Sequence, residues 1–399
     1  MNPIKFYIDS FRGLTKDVWA VALIYLVNRC GEGALLFMSV YLSTVLGYSK
    51  TEAAIVLFCY GLGALAGANI GGYLTDAIGN FKVMALSLFF CMVAFFGIAF
   101  LTSFWPLCFW MAFTGTSNGM FSPPAFSAVN AWGHPDYQTR GYSLLRMAIN
   151  LGISIGPALG GFLAYKFGYQ WIFFLEAATC MMALITLNIV LKHRNTKLVK
   201  KEKGMTETAS PYKDGVLVLF LFFNLINMLA FFQIISLVPL YFKEVVSLNE
   251  LYIGFFFTVN GLLVFFLEMP LVYLIEKKGK FIIPMVLGAL LIGASYISLA
   301  LFGPLLAIIS YSLLVALGEV INFPFIPSLA MRRATPNNEG KYMGSVTMMF
   351  AMALTFAPMV GLPVVERVGY DNYWFLAASF SAISALGIWV LRFKFMPSE

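Results

Sequence analysis

Residues 215–240 read GVLVLFLFFNLINMLAFFQIISLVPL, 26 positions without a single Asp, Glu, Lys or Arg. A helix of that length crosses a hydrocarbon core about 30 Å thick. Similar runs recur along all 399 residues, near 18–44, 52–74, 82–102, 105–130, 142–165, 170–191, 215–240, 252–274, 280–302, 304–330, 342–366 and 372–393. The chain is 60% hydrophobic and only 11% charged, against about 25% charged in soluble domains. A membrane β-barrel needs alternating segments of about 10 residues, and none is present. The sequence therefore describes an all-α polytopic membrane protein with 12 transmembrane helices.

Charge orients it. Of 26 Lys and Arg, 20 fall in the termini and in alternate loops on one side, 4 on the other (Lys50, Lys166, Lys243, Arg367), and two, Arg29 and Arg146, within spans. By the positive-inside rule both termini are cytoplasmic, and the net charge of +7 is orienting bias with no bearing on nucleic acid. The stretch KHRNTKLVKKEKGMTETASPYKD, residues 192–214, is the one long charged segment. It separates two six-helix bundles, 1–191 and 215–399.

The two halves repeat at an offset near 200. Tyr41 matches Tyr241, Asp76 matches Glu276, Gly79 matches Gly279, Pro124 matches Pro324 and Tyr142 matches Tyr342. One residue later in register come Pro157 with Pro358, Gly160 with Gly361, Gly168 with Gly369 and Tyr169 with Tyr370. Six spans per half give a parallel repeat about an axis along the membrane normal. Two such bundles rocking about a central site point to a secondary transporter working by alternating access.

The loop between spans two and three reads GGYLTDAIGNFK, Gly71 to Lys82. It resembles the Gly-x-Leu-x-Asp-x-x-Gly signature of the major facilitator superfamily, on Gly72, Leu74, Asp76, Gly79 and Lys82. Ala77 and Asn80 stand where basic residues are usual. The resemblance implies a gating latch involving Gly72, Asp76, Gly79 and Lys82, with Glu276 in the second copy, LIEKKGK. Span five carries NLGISIGPALGG, Asn150 to Gly161, similar to the Gly-rich motif of the superfamily's antiporters and implying gating roles for Gly156 and Pro157. Span ten carries LGEVINFPFIPSLA, Leu317 to Ala330, which resembles stretches in bacterial multidrug:proton antiporters and in proton-dependent oligopeptide transporters. The peptide group's first-span Glu-x-x-Glu-Arg pattern is not reproduced, since Arg29, Glu32 and Gly33 occupy those positions.

Six ionisable residues lie within spans: Arg29, Glu32, Arg146, Glu176, Glu268 and Glu319. Each costs about 2.5–3.5 kcal/mol at a helix centre, so a cavity and a partner are expected. Arg29 and Glu32, three apart on a continuous first span, share a face as an ion pair or as a cavity-facing site. Glu32, Glu319 and Glu268 are the candidate proton carriers. Arg29, Glu32, Tyr41, Asn118, Arg146, Asn150 and Glu319 are the candidate substrate contacts, and Glu176 is read as structural. Five cysteines without ligand spacing and two histidines argue against a metal or redox centre, and no nucleophile–base set indicates an enzyme.

The expected function is a proton-coupled antiporter exporting lipophilic or amphipathic small molecules from a bacterial inner membrane. Its partners are the solute, protons and the bilayer; it needs no cofactor beyond the proton gradient and is a monomer. A proton-coupled symporter for peptides or other zwitterions is the alternative, and a non-transporting receptor on the same fold the remote one.

Overall fold

The computed structural model describes residues 13–31, 33–134, 138–192, 211–333 and 339–395. Every regular element among them is helical, in the order α1 (Lys16–Arg29), α2 (Ala34–Val40), a π-helical turn (Tyr41–Val45), α3 (Lys50–Ile78), α4 (Asn80–Ile98), α5 (Phe104–Gly119), α6 (Ser122–Trp132), α7 (Gln138–Phe167) and α8 (Gln170–Val190). After a 3₁₀ turn (Pro211–Lys213) follow α9 (Gly215–Phe231), α10 (Gln233–Ser236), α11 (Val238–Glu244), α12 (Glu250–Lys278), α13 (Ile282–Leu301), α14 (Pro304–Asn322), α15 (Phe325–Met331), α16 (Glu339–Val368) and α17 (Tyr370–Phe395). Eleven helical stretches of the described chain are long and apolar enough to cross a membrane. The twelfth expected span, 105–130, is made of α5 and α6. It is interrupted at Met120–Phe121, ahead of Pro123 and Pro124 in the first turn of α6.

Spans four and ten are both interrupted beside a proline. A second interruption, at Phe323–Pro324 between α14 and α15, corresponds to the first at an offset of 203, three residues out of the repeat's register. Span one breaks at residues 30–33, and span seven breaks at Phe232 and again at Leu237. The span-one break corrects the expectation of a continuous first helix. α1 ends at Arg29, because Gly31 and Gly33 stabilise a helix about 1 kcal/mol less than alanine does and tertiary contacts exploit the opening. Glu32 itself lies outside the described residues, as does most of the linker, 193–210.

The described chain packs as two compact units. Unit 1 comprises Met1–Phe37, Leu62–Lys200 and Asn249–Thr258; unit 2 comprises Met38–Gly61, Lys201–Leu248 and Val259–Glu399. These are not the two halves of the repeat, since the start of α3 packs in unit 2 and the start of α12 in unit 1. The core of unit 1 gathers Val21, Ile24 and Tyr25 of α1 with Phe121, Val129, Leu145 and Leu187. The core of unit 2 gathers Phe220 and Met228 of α9 with Met285, Phe325, Met349 and Ile388. Large apolar side chains also cover the outside: Trp105, Ile189 and Leu305 are each at least three-quarters exposed. Helices apolar on every face suit lipid on one side and protein on the other.

Candidate transport and gating sites

The break in span one is held open from α8. The Glu176 carboxylate accepts the Ala34 backbone N–H at 3.3 Å, meeting one of the amide donors that the start of α2 leaves unpaired. A Cβ on Gly31 would meet the Glu176 and Thr179 side chains at 3.0 and 2.2 Å. Glu176 is thus the structural carboxylate expected, acting on a backbone that the sequence pattern did not show to be broken. In span seven the equivalent device is Gln233, at the position matching Gly33. Its Nε2 donates to the Leu229 carbonyl at 3.1 Å and to the Ala357 carbonyl of α16 at 2.8 Å.

Arg29 ends α1. Its Nη2 donates to Tyr25 Oη at 3.5 Å, and the guanidinium stands 5.2 Å from the centre of that ring. Tyr25 Oη is in turn 2.6 Å from Ser122 Oγ. Arg29 faces α7 at Gly152, where an added Cβ would lie 2.4 Å from the Arg29 Cβ. Asn118, Arg146 and Asn150 lie in unit 1 with Arg29, and Arg146 is exposed. Tyr41, Glu268 and Glu319 lie in unit 2.

The glycines of span five serve two crossings. Gly33 approaches Gly156 and Gly160, at 3.0 Å from the Gly156 carbonyl oxygen to a Cβ built on Gly33. On the other flank α12 comes closer still. A Cβ on Gly254 would stand 2.2 Å from the Pro157 carbonyl oxygen, and one on Gly161 would stand 2.3 Å from that of Glu250. Tyr169 Oη donates to Glu250 Oε1 at 2.7 Å just beyond this crossing.

A second cluster, in unit 2, went unread in the sequence. At the start of α3, Lys50 Nζ is 2.9 Å from Glu244 Oε2 of α11 and 5.3 Å from the centre of the Tyr370 ring. Tyr370 Oη donates to the same Glu244 oxygen at 2.8 Å. Thr51 donates both its N–H, at 3.1 Å, and its hydroxyl to Glu366. The positive-inside count touched Lys50 and the repeat touched Tyr370, but neither pattern shows that the two meet at Glu244.

Glu268 and Glu319 are on packed spans. Leu263, Val264, Leu267 and Leu271 of α12 form an apolar cluster with Ala316, Val320 and Ile321 of α14, so the two carboxylates are carried by helices that pack on each other.

A family model described as Major Facilitator Superfamily matches residues 21–358. The chain belongs to the Major Facilitator Superfamily. Among curated relatives, the uncharacterised MFS-type transporter YttB of Bacillus subtilis (strain 168) is 24% identical, over 83% of each chain. A Na⁺, Li⁺, K⁺/H⁺ antiporter of Planococcus maritimus is 20% identical over 87% of this chain and 89% of its own. The fold resembles the crystal structure of a peptide transporter POT in complex with sulfate, with TM-score 0.80 at 18% identity over 96% of both chains. A POT family transporter in complex with 5-aminolevulinic acid gives 0.80 at 17% identity, over 97% of this chain and 98% of that one.

Gly79 has φ +89°, a left-handed turn that favours glycine, and Gly279 repeats it at +68°. Gly72 is not at a close helix approach, since a Cβ there would meet nothing within 4 Å; its neighbour Gly71 makes the approach, 2.7 Å from the Met120 carbonyl oxygen. Asn80, where the superfamily pattern has a basic residue, is buried and donates to the Pro124 carbonyl at 3.0 Å. It replaces an ionic tie by a neutral one. Lys82 is exposed, and the side chains of Asp76 and Glu276 lie outside the described set.

Spans seven, ten and eleven meet at Asp214. It caps α9 by accepting the N–H groups of Val216 and Leu217, each at 3.2 Å, and takes a two-pronged contact from Arg333 at 2.7 and 2.8 Å. Tyr342 donates to it at 3.3 Å. Burial opposes the Asp214 charge, but the Arg333 guanidinium and the two amides outweigh it and hold the carboxyl below its usual range. A depressed carboxyl contributes stability fully above its unfolded pKa, near 3.9, and loses it as pH falls through the folded value. Asp214→Asn, which keeps a capping side chain, is expected to melt below the wild type at pH 7. The two melting temperatures should converge below about pH 4; a gap that persists there would place the loss elsewhere.

Proposed function

We propose that this protein is a proton-coupled antiporter that exports lipophilic or amphipathic small molecules by alternating access. The observation that carries the reading is the Glu268–Glu319 pair, two carboxylates on packed apolar spans. A single carboxylate at such depth is costly, and two together form a place where one proton, or one cationic solute, relieves the charge. Export follows if the solute leaves as the proton arrives. The antiporter among the relatives supports that coupling, and the probable multidrug resistance protein EmrY of Escherichia coli and the multidrug resistance protein MdtH of Aeromonas hydrophila support a small-molecule solute. The charge bias supports cytoplasmic termini in a bacterial inner membrane.

A symporter for peptides or other zwitterions is the second reading, favoured by the solved structures the fold resembles. In that case Arg29 or Arg146 holds the substrate carboxylate. Proteoliposomes with an imposed proton gradient separate the two. An antiporter loses loaded solute against the inward proton flow, a symporter accumulates it with that flow, and a receptor shows no proton-linked flux with any solute.

In this cycle the Lys50–Glu244–Tyr370 and Thr51–Glu366 contacts act as the gate on the face opposite the termini. The two charged side chains are 22% and 29% exposed, and such pairs are worth about 0–1 kcal/mol, weak enough to open on every turnover. Lys50→Ala should therefore change transport by less than about tenfold, the equivalent of about 1.4 kcal/mol. The double exchange Lys50→Glu with Glu244→Lys should recover more than either single change. A complete loss with Lys50→Ala, unrescued by the exchange, would argue for a binding role instead.

A further inference from the structure

The sequence of span seven places two asparagines, Asn224 and Asn227, in the most apolar helix of the chain. Both are fully buried. Asn224 Nδ2 donates to the Phe220 carbonyl at 2.8 Å. Its Oδ1, and both polar atoms of Asn227, have no hydrogen-bond partner within the protein. On α17, Tyr373, Trp374, Ser381 and Ser384 are equally buried, and Tyr373 Oη, Trp374 Nε1, Ser381 Oγ and Ser384 Oγ are unpartnered as well.

These groups share one seam. At 100° per residue, positions 373, 374, 377, 381, 384, 388 and 391 fall on one face of α17, and all seven are buried. That face packs on α9 and α13. A Cβ on Gly387 would touch the Phe223 ring at 2.3 Å, which fixes the antiparallel register of α9 and α17. One turn onward in α9 is Asn227, and almost one turn back in α17 is Ser384, so the two lie at the same depth. Ser381 adjoins α13, 3.2 Å from a Cβ built on Gly293.

Five of these unpartnered polar atoms, those of Asn224, Asn227, Ser381 and Ser384, lie near one depth of the three-helix junction and carry a heavy cost if dry. Each buried group without a partner costs about 1–3 kcal/mol, and bilayer surroundings supply no relief. The fold does not demand them. At the equivalent places of the first repeat stand Ile24 for Asn224 and Ala183 for Ser384, both in the apolar core of unit 1. We propose that α9, α13 and α17 enclose a bound-water site at mid-membrane depth, lined by Asn224, Asn227, Ser381 and Ser384.

The donor chemistry selects water over a metal cation. Asn227 needs both an acceptor for its Nδ2 and a donor for its Oδ1. A water molecule meets both needs through two to four hydrogen bonds, whereas a cation can satisfy only the oxygens. The site lies in the half of span seven that precedes its breaks at Phe232 and Leu237. Water-mediated bonds there re-form after small slides of α9 along α17, which the interlocked apolar contacts of the first repeat resist.

Radiolytic hydroxyl-radical footprinting of the full chain in lipid nanodiscs tests the site, because radicals formed from bound water mark side chains that bulk solvent cannot reach. Met228, fully buried beside Asn227, is expected to be oxidised well above Met84, fully buried in the core of unit 1. Asn227→Leu, close in shape, should reduce the labelling of Met228 to the Met84 level. Ser384→Ala provides the same comparison should the first variant fail to fold. Met228 labelling no higher than Met84 in the wild type overturns the proposal, and so does labelling unchanged in a folded seam variant. A melting temperature that rises with Na⁺ or K⁺, with the rise lost in Asn227→Leu, makes the seam a cation site and overturns the water assignment.

Discussion

Glu319→Gln is expected to reduce proton-driven solute flux to the level of protein-free liposomes while leaving a folded, solute-binding protein. Glutamine keeps the size and the hydrogen-bonding oxygen of the side chain but cannot take up or release a proton. A transporter whose coupling runs through this carboxylate therefore stalls with the site permanently neutral. Two readouts separate coupling from folding. The melting temperature should not fall, because a charge-bearing group within apolar spans is exchanged for a neutral one. Solute affinity, which in the wild type should vary with pH as proton and solute compete, should become insensitive to it. Glu268→Gln gives the comparison across the pair, since Glu268 is carried by the helix that packs on that of Glu319. Flux in Glu319→Gln equal to that of the wild type would remove Glu319 from the coupling mechanism and move the search to Glu32 and Glu268.

The second large effect is structural. Gly254→Ala puts a methyl group 2.2 Å from the Pro157 carbonyl oxygen, 3.0 Å from its carbonyl carbon and 3.1 Å from the Gly161 Cα. All three are backbone atoms, so no side-chain rotation relieves the clash and the helices α7 and α12 must part. Overpacking of this kind costs about 1–3 kcal/mol, occasionally more. Gly254→Leu should leave no monodisperse protein in size-exclusion chromatography, and Gly254→Ala should lower the melting temperature by several degrees. Gly72→Ala is the control of opposite sign. It lies within α3 with nothing around its would-be Cβ, and exchanging a helical glycine for alanine typically gains about 0.4–1 kcal/mol. Equal destabilisation by both substitutions would show that crowding at Gly254 is not the cause.

Several features were legible before any coordinates, each because it rests on local chemistry. Apolar run length gives the spans. Gly79 and Gly279 occupy the left-handed turns that their place between two helices suggests. The small-residue spacing of span five announced close crossings, and Gly156, Gly160 and Gly161 make them. The reading failed where a long-range contact overrode local preference. The break in span one was not legible because nothing nearby reveals that Glu176, 142 residues from Ala34, accepts its backbone N–H.

Sequence by itself determined the helical membrane class, the repeat near 200 residues and the superfamily, because these depend on hydrophobic length and on motifs read within single segments. Tertiary structure decided which polar groups meet. In spans that are apolar on every face, periodicity does not distinguish the lipid side from the protein side, so the partners of a buried Glu or Asn depend on packing register. That register joins Lys50 to Glu244 and Asp214 to Arg333, and it places Asn227 at the depth of Ser384.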